Sequence, residues 1–165
     1  MKLMELKIEK QVDLNMVLKK YKFNEKLLYS PLIILLINNF QKKGKKHLIE
    51  KYLIIVLKLL KIKSIFLFEK YLEKSINLLL IPVILISKKK GGISYKSPKR
   101  INLLISILKS LKLLNIVIKN NYKITFSKSL YLEIKNILKN KGISISTKQK
   151  LLKQALLSRV FSNIN

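Results

Sequence analysis

The chain has no cysteine, two arginines, one histidine and eight acidic residues in 165. Without cysteine there is no disulfide framework, no thiolate nucleophile and no cysteine metal site. The lone His47 lies beside lysines and lacks the partners that metal binding or proton transfer requires. No phosphate loop, metal triad or nucleophile motif occurs. These gaps point away from an enzyme, a cofactor or a small-molecule substrate. Long apolar runs are missing too. The apolar, charge-free runs 32–41 and 75–87 fall short of the ~20 residues that span a bilayer, and the second contains Pro82. The N-terminal stretch, with Glu5, Glu9 and Asp13, has neither a secretory apolar region nor the Arg-rich, acid-poor character of a presequence.

What is present is cation and hydrocarbon. Lys and Arg number 35, for a net charge of +27, and 49% of residues are hydrophobic. That apolar fraction and length suffice for one folded domain with a core. The charge makes the isolated chain repel itself and calls for a polyanion or anionic surface. Lysine is a point charge, whereas Arg forms two-pronged bonds to phosphate and guanine. A lysine coat therefore suits a nucleic-acid backbone better than base edges. The dominance of Lys, Ile, Leu and Asn also fits an AT-biased genome such as an organelle's, in which case the preference for Lys over Arg is mutational.

Residues 1–29 stand apart as an arm. They hold half of the acids (Glu5, Glu9, Asp13 and Glu25), with a short helix expected over about Leu6–Lys20. Residues 30–165 read as one mainly α domain, a bundle of about six helices with a protruding β-hairpin between the third and fourth. Ser30-Pro31 starts a helix through Phe40 that breaks at Lys43-Gly44. A second helix covers about Lys46–Leu60. Ser64 caps a third, whose stripe is Ile65, Phe68, Leu72, Ile76 and Leu79, with Phe66 and Tyr71 also assigned to the core. The fourth runs from about Leu103 to near Leu114, and Ile116–Lys123 reads as a loop. The fifth covers about Ser127–Lys139, with Gly142 as its C-terminal cap. Ser146 and Gln149 have capping-box spacing for a sixth, bearing Leu152, Ala155, Leu156 and Val160 on one face.

The hairpin, at about 82–98, carries the functional signal. The strand-like run Pro82–Ile86 and a second run from Ile93 are joined through Gly91-Gly92, which supply the positive φ of a tight turn. Lys88, Lys89 and Lys90 read as its cationic tip. From Lys74 to the end there are nineteen cations and one acid, Glu133.

Several anchors occur in one order. They are Ser30, Asn38 and Gly44-Lys45-Lys46; Ser87-Lys88-Lys89-Lys90-Gly91-Gly92, then Tyr95 and Pro98; Asn140-Lys141-Gly142; and Phe161, nineteen residues after Gly142. From Ser30 to Phe161 the chain resembles the small-subunit ribosomal protein seven family of bacterial and organellar type. It departs from that pattern in lacking the arginine cluster that enters the fourth helix, where only Lys99 and Arg100 stand. The resemblance implies an RNA-binding protein of the small-subunit head that organises the 3′ major domain of the rRNA. Its hairpin would lie near exit-site tRNA and mRNA, beside other head and platform proteins, in a mitochondrial or plastid ribosome.

The RNA-binding candidates are Lys42, Lys43, Lys45 and Lys46 in the first loop; Lys88, Lys89, Lys90, Tyr95, Lys96, Lys99 and Arg100 on or beside the hairpin; and Lys148 and Arg159 near the C-terminus. Each has a plainer reading. Lysines at turns are often only solvated, and a strand Tyr packs on a neighbour more often than it stacks on a base. Two other functions remain open on sequence: a basic amphipathic protein on anionic membrane surfaces, and an architectural DNA-binding protein.

Overall fold

In a computed structural model, which describes residues 30–62, 64–121 and 124–163, the helices follow the punctuation. They are α1 (Pro31–Phe40), α2 (Lys46–Leu60), α3 (Ile65–Leu79), α4 (Leu103–Asn120), α5 (Phe126–Leu138) and α6 (Ile143–Leu157). Strands β1 (Val83–Lys90) and β2 (Ile93–Arg100) lie between α3 and α4, and a 3₁₀ turn, Ser158–Asn163, follows α6. The expected mainly α bundle with one inserted hairpin is the architecture observed. The helix expected over Leu6–Lys20 lies outside the described residues.

Pro31 occupies the first turn of α1, where a missing N–H costs nothing. Ser30 stands at the N-cap position, yet its hydroxyl makes no capping bond. Lys43 and Gly44, with φ of 52° and 71°, turn the chain into α2. Ser64 does cap: its Oγ accepts from the Leu67 N–H at 3.3 Å. Phe68, Leu72, Ile76 and Leu79 then fall on one stripe of α3, each no more than 2% exposed. They share a core with Leu36 of α1, Leu111 of α4 and Ile134 of α5.

Five expectations need correction: the core residues of α3, the end of α4, the role of Gly142, the cap of α6 and its apolar face. Phe66 and Tyr71 are not core: Phe66 is 63% exposed, Tyr71 is exposed as well, and so is Ile65. The start of α3 is apolar on every side, so composition there does not select a face. The fourth helix does not end near Leu114 but continues to Asn120. Its β-branched run Ile116-Val117-Ile118 has modest helix propensity, but burial of Val117 and Ile118 overrides it.

Gly142 is not the C-terminal cap of α5. That place belongs to Asn140, in the left-handed region at φ 54°. The N–H of Lys141 donates to the Asn136 carbonyl at 2.9 Å and that of Asn140 to Ile137 at 2.8 Å, a Schellman closure. Gly142 is instead the N-cap of α6, with φ 107°. A Cβ there would come within 3.1 Å of Glu133 Oε1 and Asn136 Cβ. Consequently α6 begins at Ile143, and Ser146 lies inside it with its hydroxyl donating to the Ile143 carbonyl at 2.9 Å. No capping box forms. Buried Glu133 takes over that duty, its Oε1 accepting from the Ser144 N–H at 2.9 Å. A carboxylate at a helix N-terminus satisfies an orphan donor and suits the helix dipole, which accounts for the one acid after Lys74. Of the expected face of α6 only Ala155 is buried; Leu152 is half-buried, Leu156 is exposed, and Val160 lies beyond the helix in the 3₁₀ turn, exposed as well.

The hairpin is pinned at its neck. The Ser110 hydroxyl is shared between the Leu79 carbonyl at 3.0 Å and the Ser106 carbonyl at 2.8 Å, and the Ser106 hydroxyl donates to the Ile81 carbonyl at 2.8 Å. Lys148 Nζ donates to the Leu78 carbonyl at 2.6 Å. Three side chains thus satisfy the carbonyls at and just past the C-terminus of α3, where a cation is also favoured by the dipole. The Ile101 N–H closes the neck on the Pro82 carbonyl at 3.2 Å. Ser106→Ala strips a buried carbonyl of its partner and is expected to cost about 1–3 kcal/mol, measured by urea unfolding.

Candidate nucleic-acid interface

The tip lysines do not form a loop. β1 runs through Lys90, and Gly91-Gly92 alone, at φ 58° and 78°, make the turn. The register pairs Lys88 with Tyr95, Lys89 with Ser94 and Lys90 with Ile93, and continues to Val83 opposite Arg100. Directly opposed residues of an antiparallel pair share a face, and faces alternate along each strand. One face therefore holds Lys89, Lys96 and Arg100, all exposed, with Ser94 opposite Lys89, Ser87 opposite Lys96, half-buried Leu85 and Pro98 separating Lys96 from Arg100, and no acid. Lys96 and Arg100, four residues apart, are ~13 Å apart at ~3.3 Å per residue.

The other face turns towards the body. Tyr95 packs on Phe161 of the 3₁₀ turn, ring centroids 5.2 Å apart, and Ser97 is buried. Tyr95 thus takes the packing role, with the C-terminal turn as its partner. Lys88 is half-buried on this face, while Lys99, opposite Ile84, is exposed at the base. Arg159 is exposed on the turn that carries Phe161.

The α1–α2 turn forms a second basic surface. Lys42, Lys43 and Lys45 are exposed. Lys46 sits 3.9 Å from Glu50, which also lies 3.0 Å from His47 Nδ1. No side chain caps α2 and its first turn has no acid; the Lys46 N–H is taken by the Gly44 carbonyl at 2.8 Å, and the N–H groups that follow it in the first turn have no intrahelical partner. Lys119, at the end of α4, joins this surface. It escaped notice in the sequence because it lies past the point where α4 was expected to end.

Lys148 is occupied by the α3 C-terminus, and burial holds its pKa below the usual lysine range. A lysine with a lowered native pKa binds fewer protons folded than unfolded, so its contribution makes stability rise with pH through that window. The pH dependence of wild-type stability above neutrality is expected to be steeper than that of Lys148→Met, compared by urea melts at stepped pH.

Among the described residues, no helix is long and apolar enough to cross a membrane, and no group of three His, Cys, Asp or Glu side chains could hold a metal. A search of curated proteins returns no match. The profile of ribosomal protein S7p/S5e matches residues 7–159, nearly the whole chain and most of the segment before Ser30. A hairpin presenting a row of cations, a lysine-rich turn and a charge of +27 agree with the rRNA-binding role of that family. The chain belongs to the ribosomal protein S7p/S5e family, whose members are structural, rRNA-binding proteins of the small ribosomal subunit rather than enzymes.

Proposed function

We propose that this protein organises the 3′ major domain of small-subunit rRNA in the subunit head, with its hairpin close to exit-site tRNA and mRNA. The observation that carries this reading is the row Lys89, Lys96 and Arg100 on one exposed face of a hairpin whose neck is fixed to the helical body. A fixed arm holds its cations at set spacings, so phosphates can be met without first ordering a loop. Lys42, Lys43 and Lys45 supply a second group of phosphate contacts, and Lys99 and Arg159 flank the hairpin.

Neighbouring head and platform proteins are the other partners. Leu157 and Val160, 80% and 82% exposed beside Leu156, support a protein contact at the C-terminal end. Residues 1–29, with their mixed charges, act as an arm towards a protein neighbour, and 30–165 as the rRNA-binding body. The Lys-, Ile- and Asn-rich composition supports a mitochondrial ribosome as the setting, with the plastid as the alternative. Sedimentation of the native complex, probed for small-subunit rRNA, tests the assignment. Affinity for a 3′-domain rRNA fragment is expected to fall steeply with salt, at a slope of roughly −0.7 to −0.9 per phosphate contact. An affinity that stays flat across the salt series contradicts the reading.

A further inference from the structure

Between the α1–α2 turn and α5 lies a cavity of about 370 Å³, at the small end of the ~300–1,000 Å³ range of ligand pockets. Its floor is aromatic. Phe126 meets Phe40 edge-on and Tyr52 at a 37° tilt, each with ring centroids 5.3 Å apart. Phe40 is buried, while Tyr52 and Phe126 are only half-buried. Its rim is cationic: Lys42, Lys43, Lys45 and Lys119 line it, and among the described residues no acid does. A core defect would not collect four lysines around an aromatic floor, and a solvated lysine loop needs no aromatic floor.

We infer that this cavity takes one unstacked base of the rRNA, its ring against Tyr52 and Phe126 and its phosphates on the lysines and the uncapped N-terminus of α2. The inference rests on the rRNA-binding reading and adds a single-nucleotide site to it. Base–aromatic stacking requires a π-face that the site leaves reachable, and phosphate requires the cations that surround it. Charge also argues against the chain's own N-terminal segment as occupant. Residues 1–29 carry seven lysines and four acids, so that segment would bring more positive charge to a positive rim.

The test uses the full chain and a 3′-domain rRNA fragment substituted with 4-thiouridine and 6-thioguanosine. Photocrosslinks are mapped by peptide sequencing, and affinities are measured over a salt series for the wild type, Tyr52→Leu and Lys43→Ala. Crosslinks are expected on peptides containing Tyr52 or Phe126. Tyr52→Leu is expected to weaken binding roughly tenfold, a typical loss for one stacked base, without changing the salt slope. Lys43→Ala should weaken binding and flatten the slope by about 0.7–0.9. Crosslinks confined to other peptides, with wild-type affinity in Tyr52→Leu, overturn the base site while leaving rRNA binding intact. If that variant binds the fragment normally but joins the assembled subunit poorly, the cavity belongs to a protein neighbour and the inference is again overturned. Should Tyr52→Leu fail to fold by circular dichroism, the crosslinks on the unaltered chain decide. Failure of the wild type to bind the fragment at all would instead sink the rRNA reading itself.

Discussion

Replacing Lys89, Lys96 and Arg100 together by glutamate is expected to lower affinity for the 3′-domain rRNA fragment about a hundredfold or more at moderate salt. Hydrogen bonds to charged groups contribute roughly 1.5–3 kcal/mol each, and 1.4 kcal/mol is a factor of about ten. Loss of two such contacts therefore reaches that figure, before the repulsion of three new carboxylates is added. The log–log salt slope should become shallower by about 2–3 as three phosphate contacts disappear. Helicity should not change, because all three side chains are exposed on a hairpin outside the helical core. Filter binding across salt and far-ultraviolet circular dichroism supply both readouts. Reversing Lys88, Lys89 and Lys90 instead leaves Lys96 and Arg100 in place, so a smaller loss is expected. Equal losses from the two triple variants would mean that the register-defined row has no special role.

The largest effect on stability is expected at Phe68. Its ring is 2% exposed at the centre of the shared core of α1, α3, α4 and α5. Phe68→Ala removes that burial and leaves a cavity, at a cost of about 3–5 kcal/mol. This is a large share of the ~5–15 kcal/mol that holds a domain folded. Phe66→Ala, two residues earlier on the same helix, should shift stability by no more than about 0.5 kcal/mol, since Phe66 is exposed, with Lys70 Nζ over its ring at 4.6 Å from the centroid. Urea unfolding of both variants checks the contrast. Similar losses at the two positions would mean that the exposed face of α3 is covered in the folded protein.

That pair also shows where sequence reasoning stops. Helix boundaries were readable wherever a residue has a strong backbone preference. Pro31, Gly44 and Ser64 delimit α1, α2 and α3 as expected, and Gly91-Gly92 forms the turn of the hairpin. Apolar periodicity identified Phe68, Leu72, Ile76 and Leu79. It could not exclude Phe66 from a run, Ile65–Phe68, in which every residue is apolar. The end of α4 and the start of α6 were hidden for a related reason: packing of Val117 and Ile118, and capping of α6 by Glu133, come from elements distant in sequence. The cationic segments of the interface were visible as runs of lysine. Their division between faces was not, because it depends on a register in which β1 extends through Lys90. Nor does a lysine run reveal that Lys148 serves the C-terminus of α3, or that Lys119 borders the aromatic cavity.

In the proposed function the pinned hairpin presents a cation row to the 3′ major domain of small-subunit rRNA. Hydroxyl-radical footprinting of that rRNA tests it most directly, with the wild-type chain and with the Lys89→Glu, Lys96→Glu, Arg100→Glu variant at saturating protein. The wild type should protect backbone positions within the 3′ major domain. The variant should lose a contiguous subset of those protections while retaining the ones made by the α1–α2 turn. Protection outside that domain, or a footprint unchanged by three charge reversals, would contradict the account.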